Sequence, residues 1–163
     1  MTFGGWRRGA RSAIEQLVVN YARCADDRRG RDLAALFTEG GELEIVRAGR
    51  SDVPEVHRGR VAIVDAIGAL DVFRDTLHHV AAPWVEVESR RRARARTSCL
   101  AYHHSVRDGA QELLLMGISY DDVLVRSAGE WKFERRALHV LWVDRRALGA
   151  ARADSSRDAR GTD

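Results

Sequence analysis

The chain has 163 residues, 45% of them hydrophobic and 31% charged, with a formal net charge of +3. That length suits one domain with a sizeable core and is too short for two ordinary ones. No apolar run nears the roughly 18 residues of a membrane helix, and the start MTFGGWRRGARS lacks the apolar stretch of a secretory signal, so a cytoplasmic protein is expected.

The charge calls for no nucleic-acid partner. Every basic residue but Lys132 is arginine. The densest run, SRRRARARTS at 89–98, has no aromatic residues interleaved to stack bases, so it reads as a solvated turn entering a strand. Cys24 and Cys99, the two cysteines, each lie in an apolar stretch and are expected to be buried free thiols. Neither has the spacing of a metal site.

Residues 1–11 are rich in Gly and Arg and read as a flexible arm. Ser12 and Glu15 form a capping box ahead of Ile14, Leu17, Val18 and Tyr21, which recur at helical spacing, so a first helix is predicted over 12–26. A short helix around 32–38 follows, stopped by Gly40 and Gly41. ELEIVRA alternates as a short strand, SDVPEVHRG reads as a loop, and RVAIVDAIGAL as a third helix. Beyond residue 75 come four strand-like segments: HHVAAPWVEVE, RARARTSCLAYHH, ELLLMGISYDDVLVR and EWKFERRALHVLWV. The tail from 146 to 163 is small, polar and charged, and disorder is expected there.

Helices first and a meandering sheet second predict an α+β fold. Long strands with short turns suggest a curved, mixed or antiparallel sheet wrapped around three helices. The expected shape is a cone-like α+β barrel enclosing an apolar pocket, with one domain spanning 12–145.

Two histidine doublets stand out, His78–His79 and His103–His104. Neighbouring strand residues point to opposite faces, so each doublet offers one histidine to a given face. Arg94 and Arg96 should face water, which turns Ala93, Ala95, Thr97, Cys99, Ala101 and His103 inward and His104 and Tyr102 outward. Alternation leaves the first doublet open, because both faces are apolar and Pro83 could reset the count. Asp26, closing the first helix, sits badly with the helix dipole and calls for a partner; Asp27 is expected to meet solvent.

The runs AIEQLVVNYARCADDRRGRDLAALFTEGGELEI, TLHHVAAPWVEVE, GISYDDVLVR and EWKFERR resemble the SnoaL-like branch of the nuclear-transport-factor-2-like superfamily, over roughly residues 12–143. That superfamily includes polyketide cyclases, scytalone dehydratases, ketosteroid isomerases and the β subunits of ring-hydroxylating dioxygenases. The dehydratases' active-site aspartate matches Asp26, and their Thr-x-His histidine matches His78 in TLH. Their second histidine, 25 residues on, matches His103. The resemblance therefore implies that His78 faces inward. Two tyrosines of the dehydratases fall at Ala25 and Val46, so Tyr21 is the expected substitute. Phe37, Val46, Trp84 and Met116 are the expected substrate lining, and Tyr120, Asp122 and Arg136 are read as structural.

The implied activity is acid–base catalysis on a small, largely apolar molecule bearing a carbonyl or hydroxyl group, with no metal or organic cofactor. Dehydration, isomerisation and cyclisation all fit. Asp26 is expected to orient His103 while His78 moves the proton. The other reading is a non-catalytic small-molecule-binding protein or a dioxygenase-β-like accessory subunit. Convergence of Asp26, His78 and His103 within hydrogen-bonding reach around an open pocket separates the two; a His103 packed dry with no cavity beside it favours the second. A homodimer or higher oligomer is expected through the outer sheet face, with Val85 and Val87 on it.

Overall fold

The computed structural model describes residues 5–47 and 53–149. Helix α1 (Gly5–Asp26) and the short α2 (Gly30–Ala35) lead into strands β1 (Phe37–Arg47) and β2 (Glu55–Arg58). Helix α3 (Gly59–Gly68) and a 3-10 turn (Ala69–Val72) then precede β3 (Asp75–Val80) and β4 (Trp84–Val87). Three long strands complete the chain: β5 (Arg92–Arg107), β6 (Ala110–Ser127) and β7 (Glu130–Leu148). Among the described residues no helix is long and apolar enough to cross a membrane.

The α+β class holds, but the barrel does not. The strands run β2-β1-β7-β6-β5-β3 in one seven-stranded sheet, with β4 also pairing with β5. Closure would require β2 to meet β3, and these remain the two free ends of an open sheet that is neither closed nor strongly curled. Twist alone does not close a sheet; closure needs the first and last strands to pair. The sheet is mixed, because β1 runs parallel to β7 while the other pairings are antiparallel.

Helix α1 starts at Gly5, so Ser12 and Glu15 lie inside it rather than capping it. Packing overrides the local signal. Trp6 packs against the core, Ala10 is buried, and Arg7 Nη1 donates to the Val87 carbonyl at 2.8 Å. Ile14, Leu17, Val18 and Tyr21 continue the buried face along the helix. Gly40 and Gly41 do not stop a helix; they lie in β1, where the register with β7 slips between Phe37 and Glu42. A Cβ on Gly41 would stand 3.0 Å from the Phe37 Cβ and 3.1 Å from the Phe133 carbonyl, so glycine permits the close approach. The expected loop SDVPEVHRG contains β2, which pairs with Glu42–Ile45.

On β5 the predicted alternation is seen residue by residue: Ala93, Ala95, Thr97, Cys99, Ala101 and His103 are buried between exposed or half-buried neighbours. On the preceding segment the phase changes. His78 and Val80 face inward on β3, whereas Val85 and Val87 are buried on β4, so the break at 81–83 shifts the count by one. Val85 and Val87 therefore pack inside and are unavailable to a dimer on the outer face. Leu77, Leu100 and Trp142 are among the large apolar residues exposed instead. The expected tail is β-strand as far as Leu148, and its remainder from 150 lies outside the described residues.

Candidate active site

The site begins with how α1 ends. The Arg28 amide bonds to the Ala25 carbonyl at 3.2 Å and the Arg29 amide to the Cys24 carbonyl at 2.8 Å. Arg28 itself adopts a left-handed conformation with φ of 57°. This double bond with a left-handed residue is a Schellman stop, and it leaves Asp26 on the last turn, facing β3.

Asp26 meets three donors there. Its Oδ2 accepts the His78 backbone amide at 2.9 Å, and its Oδ1 accepts the Thr76 hydroxyl at 2.9 Å. The same Oδ1 lies 2.6 Å from His78 Nδ1. Burial alone pushes the Asp26 carboxyl up, but the ring and backbone bonds from His78, its charge and the Thr76 bond outweigh it and hold the pKa below the usual value. An ionised carboxylate only accepts hydrogen bonds. His78 Nδ1 must therefore carry the proton in the neutral ring, which leaves a lone pair on Nε2. The pair is not sealed: the side chains of His78 and Asp26 keep 8% and 19% of their exposure.

The register of β3 on β5 sets the second histidine. Thr76 stands opposite His103 and His78 opposite Ala101. The two histidine rings lie 5.4 Å apart between centroids, and Phe73 packs 4.6 Å from His103 on its other side. His103 is only 3% exposed, yet among the described residues neither of its ring nitrogens has a hydrogen-bond partner. Burial, reinforced by His78 and Arg28 and opposed by Asp26, pushes its pKa down to about 4. It is a neutral ring holding one unused donor and one unused acceptor.

Asp26, His78 and His103 thus converge, with one rearrangement: Asp26 pairs with His78, not with His103 as expected. Met116 is half-buried opposite Ala101 on β6, with β5 between its strand and β3. Four other expected residues stand apart. Tyr21 is 3% exposed, packed edge-on against Phe37, Tyr120 and Phe133, and its hydroxyl is pushed up to about 12, first by burial. Phe37 is wholly enclosed in that cluster. Val46 pairs with His139 on β7, with β7, β6 and β5 between its strand and β3. Trp84 is 61% exposed and pairs with Arg96 on the outer face.

Phe73 and Arg28 were not anticipated, and Thr76 entered only as the first residue of the TLH pattern. Thr76 had a usable signal, since it lies two residues before His78 and shares its face. Nothing in the sequence marks Arg28. A cavity of about 960 Å³ lies at the other end of α1, lined by Trp6, Ala10, Leu17, Leu36 and Trp131 among others, and is separate from the histidines. Among the described residues, no group of three or more His, Cys, Asp or Glu side chains is placed to hold a metal ion.

The sequence profile of the SnoaL-like domain matches residues 6–137, and the chain belongs to that family. Among solved structures it is similar to a candidate scytalone dehydratase from Novosphingobium aromaticivorans, at 26% identity and a TM-score of 0.73, over 85% of this chain and 89% of that one. A hexachlorocyclohexane dehydrochlorinase, LinA type 3 from Novosphingobium barchaimii, shares the fold at 18% identity and a TM-score of 0.72, over 90% and 94%. So does the β subunit of a candidate aromatic-ring-hydroxylating dioxygenase from N. aromaticivorans, at 18% and 0.66, over 82% and 90%. No curated protein matches the sequence. The fold is thus shared with a dehydrochlorinase and with a dioxygenase β subunit alike.

Proposed function

We propose that the protein is a cofactor-independent acid–base enzyme that eliminates water, or rearranges by proton transfer, on a small and largely apolar carbonyl- or hydroxyl-bearing molecule. The observation that carries this reading is the Asp26–His78 pair, set beside a buried histidine whose two nitrogens are free. Asp26 fixes the His78 tautomer, so Nε2 presents its lone pair as the base. In a dehydration, His78 takes a proton from carbon and that C–H electron pair becomes the new double bond. The C–O bond breaks, and the imidazolium returns its proton to the departing hydroxyl, releasing water and restoring His78. His103, neutral near pH 7, supplies a hydrogen bond to the substrate oxygen that its own surroundings leave unused. The likeness to a candidate scytalone dehydratase supports elimination over the other outcomes.

One observation favours a non-catalytic binding protein or accessory subunit: His103 is almost fully enclosed. A panel of β-hydroxy ketones, followed by the absorbance of the conjugated product, separates the readings. An enzyme should lose about 10²–10⁴ in turnover in His78→Ala and at least about tenfold in Asp26→Asn, with the fold retained. Binding without turnover, unchanged in both variants, would establish the accessory role instead.

A further inference from the structure

Arg28 occupies the one position of the α1 stop where glycine is usual, because a left-handed backbone crowds a Cβ. An arginine there carries a backbone cost that glycine avoids. Its side chain folds back over the helix end and makes four hydrogen bonds. Nη1 donates to the carbonyls of Ala25 at 3.0 Å and Asp26 at 3.3 Å, and to the Thr76 hydroxyl at 2.7 Å. Nη2 donates to the Phe73 carbonyl at 3.4 Å. Nε lies 3.6 Å from Asp71, a mostly exposed pairing of little weight.

The bond to Thr76 has a direction. A guanidinium donates and never accepts, so the Thr76 oxygen must receive from Arg28, and its own single proton is turned toward Asp26 Oδ1. Asp26 then holds the Thr76 proton and the His78 amide proton, and its remaining acceptor capacity falls to the Nδ1 proton of His78. The same side chain holds the backbone of Phe73, the ring that packs on His103.

We propose that Arg28 is a positioning residue for the acid–base site, acting through Thr76 to orient the Asp26–His78 pair and through Phe73 to place His103. This rests on the reading of that pair given above.

The test uses the full chain labelled with ¹⁵N-histidine, and follows solvent exchange of the His78 Nδ1 proton together with the ring tautomer by NMR. Two variants are informative. Arg28→Gly keeps the left-handed turn in a residue that favours it and removes the side chain. Thr76→Val removes the hydroxyl and leaves Arg28 in place. Each should speed exchange of the Nδ1 proton about fivefold, the effect of one hydrogen bond, while exchange of neighbouring backbone amides stays unchanged. Thr76→Ser should restore the parent rate, which a loss of packing alone would not predict. Folded Arg28→Gly and Thr76→Val proteins with the parent exchange rate and tautomer would overturn the proposal. Neither readout requires turnover. Faster exchange without any catalysis leaves the positioning role standing and removes the enzyme reading; turnover that depends on His78 with exchange unmoved does the reverse.

Discussion

Asp122–Arg136 and Asp26–His78 are both carboxylate–base pairs beneath the helix-covered face of the sheet, and they are finished in opposite ways. Arg136 and Asp122 have no exposed side-chain surface and meet through two parallel bonds of 2.8 Å. The rings of Tyr21, Tyr120 and Phe133 surround the guanidinium at 4.2–4.3 Å. That arrangement pairs charge with charge and leaves one guanidinium nitrogen, Nη1, without a hydrogen-bond partner among the described residues, where aromatic quadrupoles face the cation. The second pair stays partly open, and its neighbour His103 keeps two ring nitrogens idle. A buried polar group without a partner costs free energy. At Arg136 the unpaired nitrogen belongs to a cation faced by aromatic rings, whereas His103 leaves both nitrogens of a neutral ring unpaired beside the oriented His78.

The same substitution at both sites should separate them most widely. Asp122→Asn leaves a charged arginine uncompensated in the core and should cost about 3–5 kcal/mol in urea denaturation. Asp26→Asn keeps a hydrogen-bonding side chain at a partly open position and should cost about 1 kcal/mol, with its main effect on turnover. Equal stability losses would erase the distinction between a structural and a working pair.

Proton linkage sharpens the comparison by a smaller amount. The folded-state pKa of His103 is pushed down from 6.5 to about 4, chiefly by burial. The unfolded chain therefore binds more protons between those values, and stability should fall as pH drops from 6.5 toward 4 and then level off for this group. Asp26, with its pKa held below the usual carboxylate value, stabilises the fold above the unfolded value and loses that contribution only at still lower pH. Urea titrations at half-unit pH steps should show the first slope in the parent protein and its absence in His103→Phe. A slope that survives the substitution would assign it to another group.

These sites were unequally legible in the sequence. The inward row from Ala93 to His103 could be read because Arg94 and Arg96 fix the outward parity and no break interrupts the strand as far as His103. The first doublet could not, since the break at 81–83 puts His78 and Val85 on the same face despite opposite parity. The partner of Asp26 was misassigned because it depends on the register of β3 on β5, which no local pattern encodes. The open sheet escaped for a similar reason: strand lengths report twist, whereas closure depends on whether β2 and β3 meet. Tyr21, Phe37, Val46 and Trp84 were expected at the pocket on a cone that the sheet does not form.

The outward members of the doublets should give the smallest effects of all. His79 is exposed, and His104 stands on the outer face with Nδ1 3.0 Å from Asp75 and Nε2 3.0 Å from Gln111. His104 thus repeats the histidine–carboxylate pairing of the inner site, but with both nitrogens occupied and no second histidine packed against it. If pairing alone made a site, His104→Ala would impair turnover as His78→Ala does. If unused hydrogen-bonding capacity in an enclosed setting is what matters, His79→Ala and His104→Ala should leave turnover unchanged and shift stability by no more than about 0.5 kcal/mol. Kinetics and denaturation of the two variants beside His78→Ala decide between these alternatives, and a loss of activity confined to His104→Ala would move the chemistry to the other face of the sheet.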